Sequence, residues 1–426
     1  MRLTIRAAMT SILFLSAFLA ADGAGAQFLK YTPPGGPEEE PESRQERMER
    51  ELEEARWRVG VVRVAPWAAL RDVAYVRNDF ATGAVPPNDW TATAGLGFRA
   101  YLRNGPKATW RAQVLPEYSW WQKQDERRRL NGRYSLGFHG FFNRLTLEVQ
   151  AGREQEQRIV TPEVPVLASS RIDGAEVLAE LELTGALFAF AAASVNQQES
   201  LVDDLDDPRS ESLALLDREE RVTRLGLRWR PREQWSIGVG AERSQAEFED
   251  DALDRSNSGT APLAEIRFDG RRLRFQAAAA KRSLEARSGA AFVPYDEVTG
   301  NAALSIGTPR RLSATLYGSR GLVYALSSTY AYLDDERLGV ALTVGVGRRL
   351  TSRFFAETGT NDYTAFDPAA PPRSDDVSSY GAGLSFSLPW NVTFGVQALR
   401  SEYDSDLPGG DRSYGTLGTT VTLGGR

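Results

Sequence analysis

Tyr101 to Trp121 reads YLRNGPKATWRAQVLPEYSWW. Asn104-Gly105 is a hairpin dipeptide, because the central positions of a tight hairpin turn need left-handed backbone. After it, Trp110, Ala112, Val114, Tyr118 and Trp120 alternate with Arg111, Gln113, Glu117 and Ser119. In a strand, this period of two sends the two sets to opposite faces. The stretch predicts two antiparallel strands with one apolar and one polar face.

The same reading extends in both directions. Leu145, Leu147 and Val149 alternate with Thr146, Glu148 and Gln150, and Ala175 to Leu183 alternates with Glu176, Glu180 and Glu182. Leu225, Leu227 and Trp229 alternate with Arg224, Arg228 and Arg230. Trp235, Ile237, Val239 and Ala241 precede Glu242, and Leu273, Phe275 and Ala277 enclose Arg274 and Gln276. Alternation also suits a soluble sandwich, so the connections decide. Short links at Asn104-Gly105, Asn143-Arg144, Thr184-Gly185, Pro231 to Gln234, Asp269-Gly270, Thr308 to Arg310, Arg349 to Ser352 and Pro389 to Asn391 alternate with long polar ones. Gln122 to Asn131, Gln155 to Ser170 and Gln197 to Asp217 are among the long ones. Short periplasmic turns and longer outer loops are the rhythm of an outer-membrane barrel. The pattern predicts an all-β, antiparallel, up-and-down transmembrane barrel of about 18 strands, or about 16 if Arg320 to Asp335 is misread. The first strand, within Arg58 to Asn78, contains Pro66 and leaves its two faces ambiguous.

The ends and the composition agree. Arg2 and Arg6 precede the apolar run Ala7 to Ala20, and Ala24-Gly25-Ala26 supplies a cleavage pattern. Residues 1–26 therefore read as a signal peptide, residues 27–56 as a linker and charged periplasmic helix, and residues 57–426 as the barrel. The longest apolar stretch after the signal, Ala186 to Val195, is about half of the roughly 20 residues a spanning helix needs. A membrane location then requires a closed barrel, which satisfies its own backbone in lipid. Ser43 and Glu46 fit a capping box for a helix over Ser43 to Arg56, and Met48, Leu52 and Ala55 form an apolar stripe. That helix is expected to be a solvated element at the barrel mouth, with a plug or a partner-docking helix as alternatives. A net charge of −6, spread along the chain, leaves no basic footprint for nucleic acid. With no cysteine, disulfides, thiol nucleophiles and Cys-based metal sites are excluded.

Aromatic residues gather near the strand ends. Tyr101, Phe142, Trp229, Trp235 and Trp390 lie near short turns, and Trp120 lies near a long loop. They are expected to face lipid as interfacial girdles of a Gram-negative outer membrane, with lipid and lipopolysaccharide as neighbours. The barrel assembly machinery is a further expected partner, although the chain ends Thr422-Leu423-Gly424-Gly425-Arg426 without the usual aromatic residue.

The signal, the turn rhythm and the phrase from Pro66-Trp67 through Tyr75-Val76-Arg77-Asn78 resemble a family of outer-membrane porins, of the kind found near exopolysaccharide loci. The resemblance covers roughly Trp57 to Arg426. It implies a channel and, by analogy, saccharide or polymer traffic.

A barrel of this size is wide enough for water and solute. Arg111, Glu117, Arg133, Glu148, Glu180, Arg224, Arg228, Glu242, Arg274 and Gln276 have inward parity and are the expected pore-lining set. Arginine and carboxylate rows facing across water would tune ion selectivity; the plainer possibility is that they only solvate the lumen. Leu187, Ala189, Ala191 and Ala193 are read as a smoother inward row. His139, the one histidine, sits between Gly137 and Gly140 with no nucleophile motif nearby, so no catalytic residue is expected. Asp203 to Asp207 lacks the calcium-loop spacing. Gly95-Leu96-Gly97 and Gly345-Val346-Gly347 lie within strands and are not phosphate loops. Neither a metal nor a cofactor is expected. The reading is a diffusion channel for small polar or saccharide solutes. The alternatives are an exopolysaccharide export conduit and a non-conducting structural or adhesive barrel.

Overall fold

The chain is described by a computed structural model over residues 44–78, 88–161, 163–201, 213–250, 253–308, 311–347, 349–389, 392–407 and 410–423. The expected signal peptide, Pro/Gly linker and Ser43 cap lie outside these residues, as does the acidic loop 203–207.

Helix α1 (Arg44–Glu54) comes first, followed by the short strand β1 (Trp57–Val59). Eighteen long strands follow: β2 (Val62–Asn78), β3 (Asn88–Asn104), β4 (Ala108–Trp121), β5 (Arg129–Phe141), β6 (Leu145–Thr161), β7 (Val164–Thr184), β8 (Leu187–Ser200), β9 (Arg218–Arg232), β10 (Trp235–Phe248), β11 (Asn257–Asp269), β12 (Leu273–Ala286), β13 (Tyr295–Thr308), β14 (Leu312–Tyr324), β15 (Tyr330–Val346), β16 (Leu350–Ala365), β17 (Arg373–Leu388), β18 (Val392–Ser405) and β19 (Arg412–Leu423). Each long strand pairs antiparallel with the next, and β19 returns to β2 through pairs such as Leu417↔Tyr75. The sheet is therefore a closed 18-strand barrel, as expected, and the Arg320 to Asp335 region forms the ends of two true strands.

Register shows which face is which. Leu225 and Val239, on the apolar face, are 58% and 57% exposed, whereas Glu242, on the other, is 4% exposed. Large exposed aliphatic side chains all around the barrel are stable only in lipid, so the apolar face is the outside. All eight turns that follow the odd-numbered strands β3 to β17 are two or three residues long. Gly105, with φ +70°, supplies the left-handed position that the Asn104-Gly105 turn needs.

Three details differ from or sharpen the sequence reading. Residues 155–170 form no loop: β6 and β7 continue to Thr161 and Val164, making one long hairpin. The β-branched run Ile159-Val160-Thr161 favours strand, and the polar Gln155 to Gln157 had masked it. Pro66 is accommodated because its strand edge is shared: β1 pairs as far as Val64 and β19 begins at Ala68. On that edge a missing N–H removes no ladder bond. Asp72, at φ +54°, marks a bulge after which the parity of β2 changes, which explains its ambiguous faces.

Candidate functional site

The inner wall is rich in charged side chains, and one arc of it, from β7 to β12, holds two clusters of paired arginines and carboxylates. Arg224 on β9 donates through Nε to Glu242 Oε2 at 2.7 Å, and Arg282 on β12 donates to Glu242 Oε1 at 3.1 Å. Arg228 and Arg230 both bond Glu180 on β7, Arg230 at 2.8 Å. Arg228 also donates to Glu265 on β11 at 2.7 Å. Glu242, which is buried, and Glu180, which is partly buried, thus each hold two guanidinium groups, which offsets the cost of taking them out of water, while Glu265 holds one. The arginines still face the lumen, and half of the Arg224 side chain is exposed.

Arg228 and Arg230 also stack over Phe190 and Phe188, at 4.9 and 4.4 Å from the ring centres. This corrects the reading of β8. Leu187 pairs with Trp229 and Ala191 with Leu225, both on the lipid face, so Leu187, Ala189, Ala191 and Ala193 point outward. The inward row is Phe188, Phe190, Ala192 and Ser194. Leu187 to Val195 is apolar at both parities, so no polar marker distinguishes its faces.

The other expected inward residues sit apart from these clusters. Glu117 on β4 holds Arg71 on β2 through both carboxylate oxygens, and Asp72 approaches the same guanidinium at 4.0 Å. Arg133 on β5 lies 4.0 Å from Glu154 on β6. Glu148 faces His139 across the β5–β6 ladder, and Gln276 faces Arg267 across the β11–β12 ladder. Arg274 shares the inward parity of β12 with Gln276 and Arg282. Arg111 meets Glu51 of α1 at 3.0 Å. Arg224 is thus brought to Glu242, and Arg228 to Glu180. Arg282 joins the first pair, and Arg230 and Glu265 join the second; they were legible as further members of the same alternating rows.

Of the expected aromatic belt, Trp120, Phe142, Trp229 and Trp235 are exposed. Trp390 lies outside the described residues. Tyr101 is a correction: it faces inward, is 1% exposed, and is covered by Met48 and Leu52 of α1 and by Ala55 just after it. Its place beside a short turn suggested the lipid face, but in register it pairs with Arg111 on the inner side.

At the long-loop end the β6–β7 hairpin crosses the mouth. Near its base, Gln157 accepts from Trp121 Nε1 and donates to the Arg127 carbonyl, both at 2.8 Å. At its tip, the buried Glu163 accepts from Leu326 N at 2.7 Å and from Arg373 at 3.1 Å. Those partners belong to the β14–β15 loop and to the start of β17, nearly half-way round the barrel. Arg373 is itself fixed by Asp375 at 2.6 Å and lies 3.9 Å over the Tyr363 ring. Arg255, fully buried in the β10–β11 loop, donates to the Ala325 and Ser327 carbonyls. Burial lowers this guanidinium to about 10, against the pull of Glu163 and Asp250. Among the described residues, no group of three or more His, Asp and Glu side chains is placed to hold a metal ion.

No protein-family model matches the chain, and no curated protein matches its sequence. Among solved structures, the barrel is similar to OccK9 (OpdG) of Pseudomonas aeruginosa, with TM-score 0.51 and 13% identity over 85% of this chain and 98% of that one. It is similar to OccK2 (OpdF) of the same organism, solved in complex with glucuronate, with TM-score 0.50 and 14% identity over 85% and 98% of the two chains. OccAB3 of Acinetobacter baumannii gives TM-score 0.50 and 11% identity over 85% and 99%. At such identities the likeness is one of fold, and this chain shares with them the closed antiparallel β-barrel.

Proposed function

We propose that this chain is an outer-membrane channel through which small polar solutes diffuse, its lumen lined by Arg224, Arg228, Glu180 and Glu242 together with Arg230, Glu265 and Arg282. The observation that carries the reading is the half-exposed Arg224 in one of two neighbouring clusters of guanidinium and carboxylate groups on the inner wall of a closed barrel. Four guanidinium groups stand there against three carboxylates. A solute with hydroxyl and carboxylate groups would find planar, bidentate donors on that wall. The glucuronate bound to OccK2 is a solute of this kind, and sugar acids are the first class to try. Arg111, Glu117, Arg133, Glu148, Arg274 and Gln276 complete the proposed lining, and the exposed Trp120, Phe142, Trp229 and Trp235 serve as lipid-interface anchors.

The test is single-channel recording of the purified protein in planar bilayers, followed by current block with glucuronate and with uncharged glucose. Steady open steps, reduced more by glucuronate, support the channel and its preference. A barrel that inserts but carries no current would favour a second reading, a closed barrel. The strap that Glu163 fastens across the mouth is the observation behind that reading.

A further inference from the structure

The helix ahead of the barrel is amphipathic, and its apolar stripe has a seat. Met48, Leu52 and Ala55, spaced to share one helical face, are 5%, 5% and 2% exposed. They pack on Tyr101 of β3, with Ala65 of β2 and Phe141 of β5 around them. All three belong to the inner wall near its short turns. The polar contacts repeat the address. Glu51 Oε2 accepts from the Tyr101 hydroxyl at 2.9 Å and meets Arg111 Nε at 3.0 Å. Arg63, at the start of β2, donates to the Leu52 carbonyl at 2.9 Å, near the C-terminal end of the helix, where carbonyls lack intrahelical partners. The opposite face, with Gln45, Arg47, Glu49, Arg50, Glu53 and Glu54, is exposed.

We propose that α1 is an autoinhibitory plug docked inside the lumen at the short-turn end, with Glu51 in a built seat of Tyr101 and Arg111 as its latch. This rests on the channel reading above. The dimensions fit a partial obstruction. Eleven residues make a helix about 16 Å long and about 10 Å wide. Eighteen strands spaced about 4.8 Å apart and tilted about 40° give a lumen of roughly 25 Å once side chains are subtracted. A helix of that size covers roughly a third of the opening. A helix serving only to tether the chain would need no charged latch on the inner wall. The Glu51 contacts hold this one to one place, over the buried Tyr101 of the inner wall.

The test uses the full chain, which has no native cysteine. Met48→Cys lies in the seat and Glu53→Cys on the exposed face. With a water-soluble maleimide, the cysteine at 48 should label about tenfold more slowly than the one at 53. Glu51→Arg sets like charges against Arg111 and Arg63, and should bring the two rates together. Adding Arg111→Glu to Glu51→Arg swaps the latch charges and should restore protection. In bilayers, Glu51→Arg should raise single-channel conductance by roughly a third to a half, given the share of the opening that the helix covers. Heat-modifiable gel migration confirms that each variant is an inserted barrel. Equal labelling at 48 and 53 in the unaltered latch overturns the docking. Equal conductance with and without the latch overturns the plug and leaves the channel reading standing. No current from either form overturns the channel reading and the plug with it.

Discussion

Glu163 and Arg373 stand 210 residues apart in sequence and meet at 3.1 Å across the mouth of the barrel. The contact exists because β6 and β7 run past the rim as one hairpin, whose tip reaches the far wall. Both carboxylate oxygens of Glu163 are used, one by Arg373 and one by the Leu326 amide. A fully satisfied buried carboxylate holds the hairpin in one position; a half-satisfied one would not. The outer mouth is therefore narrowed by a strap anchored at both ends, Gln157 at the near side and Glu163 at the far one.

Replacing Glu163 with alanine removes the far anchor and leaves Arg373 with Asp375. The loss should be about 1–3 kcal/mol of hairpin docking, the usual cost when a charged partner is lost from a buried hydrogen bond. Single-channel traces should show higher mean current and more open-state noise, with barrel migration unchanged on gels. Glu163→Gln keeps an acceptor for the Leu326 amide and should fall between. Traces that match the parent protein would remove the strap from any account of conductance.

The link between β8 and β9 is closed by Asp217, whose carboxylate accepts from the Ser200 amide at 2.6 Å. Burial pushes this carboxyl from 3.8 up to about 6, against the hydrogen bonding from Ser200, while Glu249 and Glu199 add repulsion. An acid whose folded pKa lies above its unfolded value binds more protons when folded. Its contribution is fully present below about 3.8 and is lost as pH rises through about 6. Amide exchange at the base of this loop should therefore be slower at pH 5 than at pH 7, after correction for intrinsic rates. Asp217→Asn should erase the difference. A pH dependence that survives the asparagine would assign it to another group.

The barrel was legible because its signals are local. Period-two alternation and short turns are written within about ten residues of each other, and they specify pairing and closure together. The arginine row of β9 was legible for the same reason, since Leu225, Leu227 and Trp229 mark its other face. Parity failed where one face carries no mark. The inward Phe188 and Phe190 were hidden by alanines on the lipid side, and only the arginines on the neighbouring strand reveal them. Tyr101 failed differently: its cover comes from α1, and nothing in its own strand announces a helix inside the barrel. The Glu163 contacts, between residues 163 and 210 positions apart, leave no local pattern.

Gly359 on β16 shows how closely the inner wall is packed. A Cβ there would fall 1.7 Å from the Glu336 carbonyl oxygen and 3.0 Å from Arg337 Cα. Arg337 is buried across this glycine, donating to the Thr360 carbonyl at 3.2 Å and to Asn361 at 2.9 Å. Backbone cannot yield as a flexible side chain can, so Gly359→Ala must part β15 from β16 or displace Arg337. The expected cost is about 1–3 kcal/mol, the range for overpacking. It should appear as a lower temperature at which the barrel loses its folded gel mobility. Gly321→Ala, with nothing within 4 Å of its Cβ, should leave that temperature unchanged. Equal behaviour of the two variants would refute the tight packing.

The charge clusters on β7 to β12 make the most direct claim on ion flow. Arg224→Glu changes the local charge by two units, one lost and one of opposite sign gained. It places a carboxylate beside Glu242, which keeps Arg282 at 3.1 Å and so remains partly compensated. Arg224 is half exposed, so the substitution should leave folding intact while changing the potential that ions meet. The cation-to-anion permeability ratio should rise roughly twofold or more under a salt gradient at about 0.1 M, and the change should shrink towards 1 M as screening shortens to about 3 Å. Arg228→Glu should shift the ratio the same way but cost more stability, because Glu180 and Glu265 both depend on Arg228. Arg400→Glu supplies the control. Arg400 carries the same charge, but its partner across the ladder is the lipid-side Tyr380, so it points away from the lumen. If Arg400→Glu shifts selectivity as strongly as Arg224→Glu, the effect comes from overall charge and not from this wall.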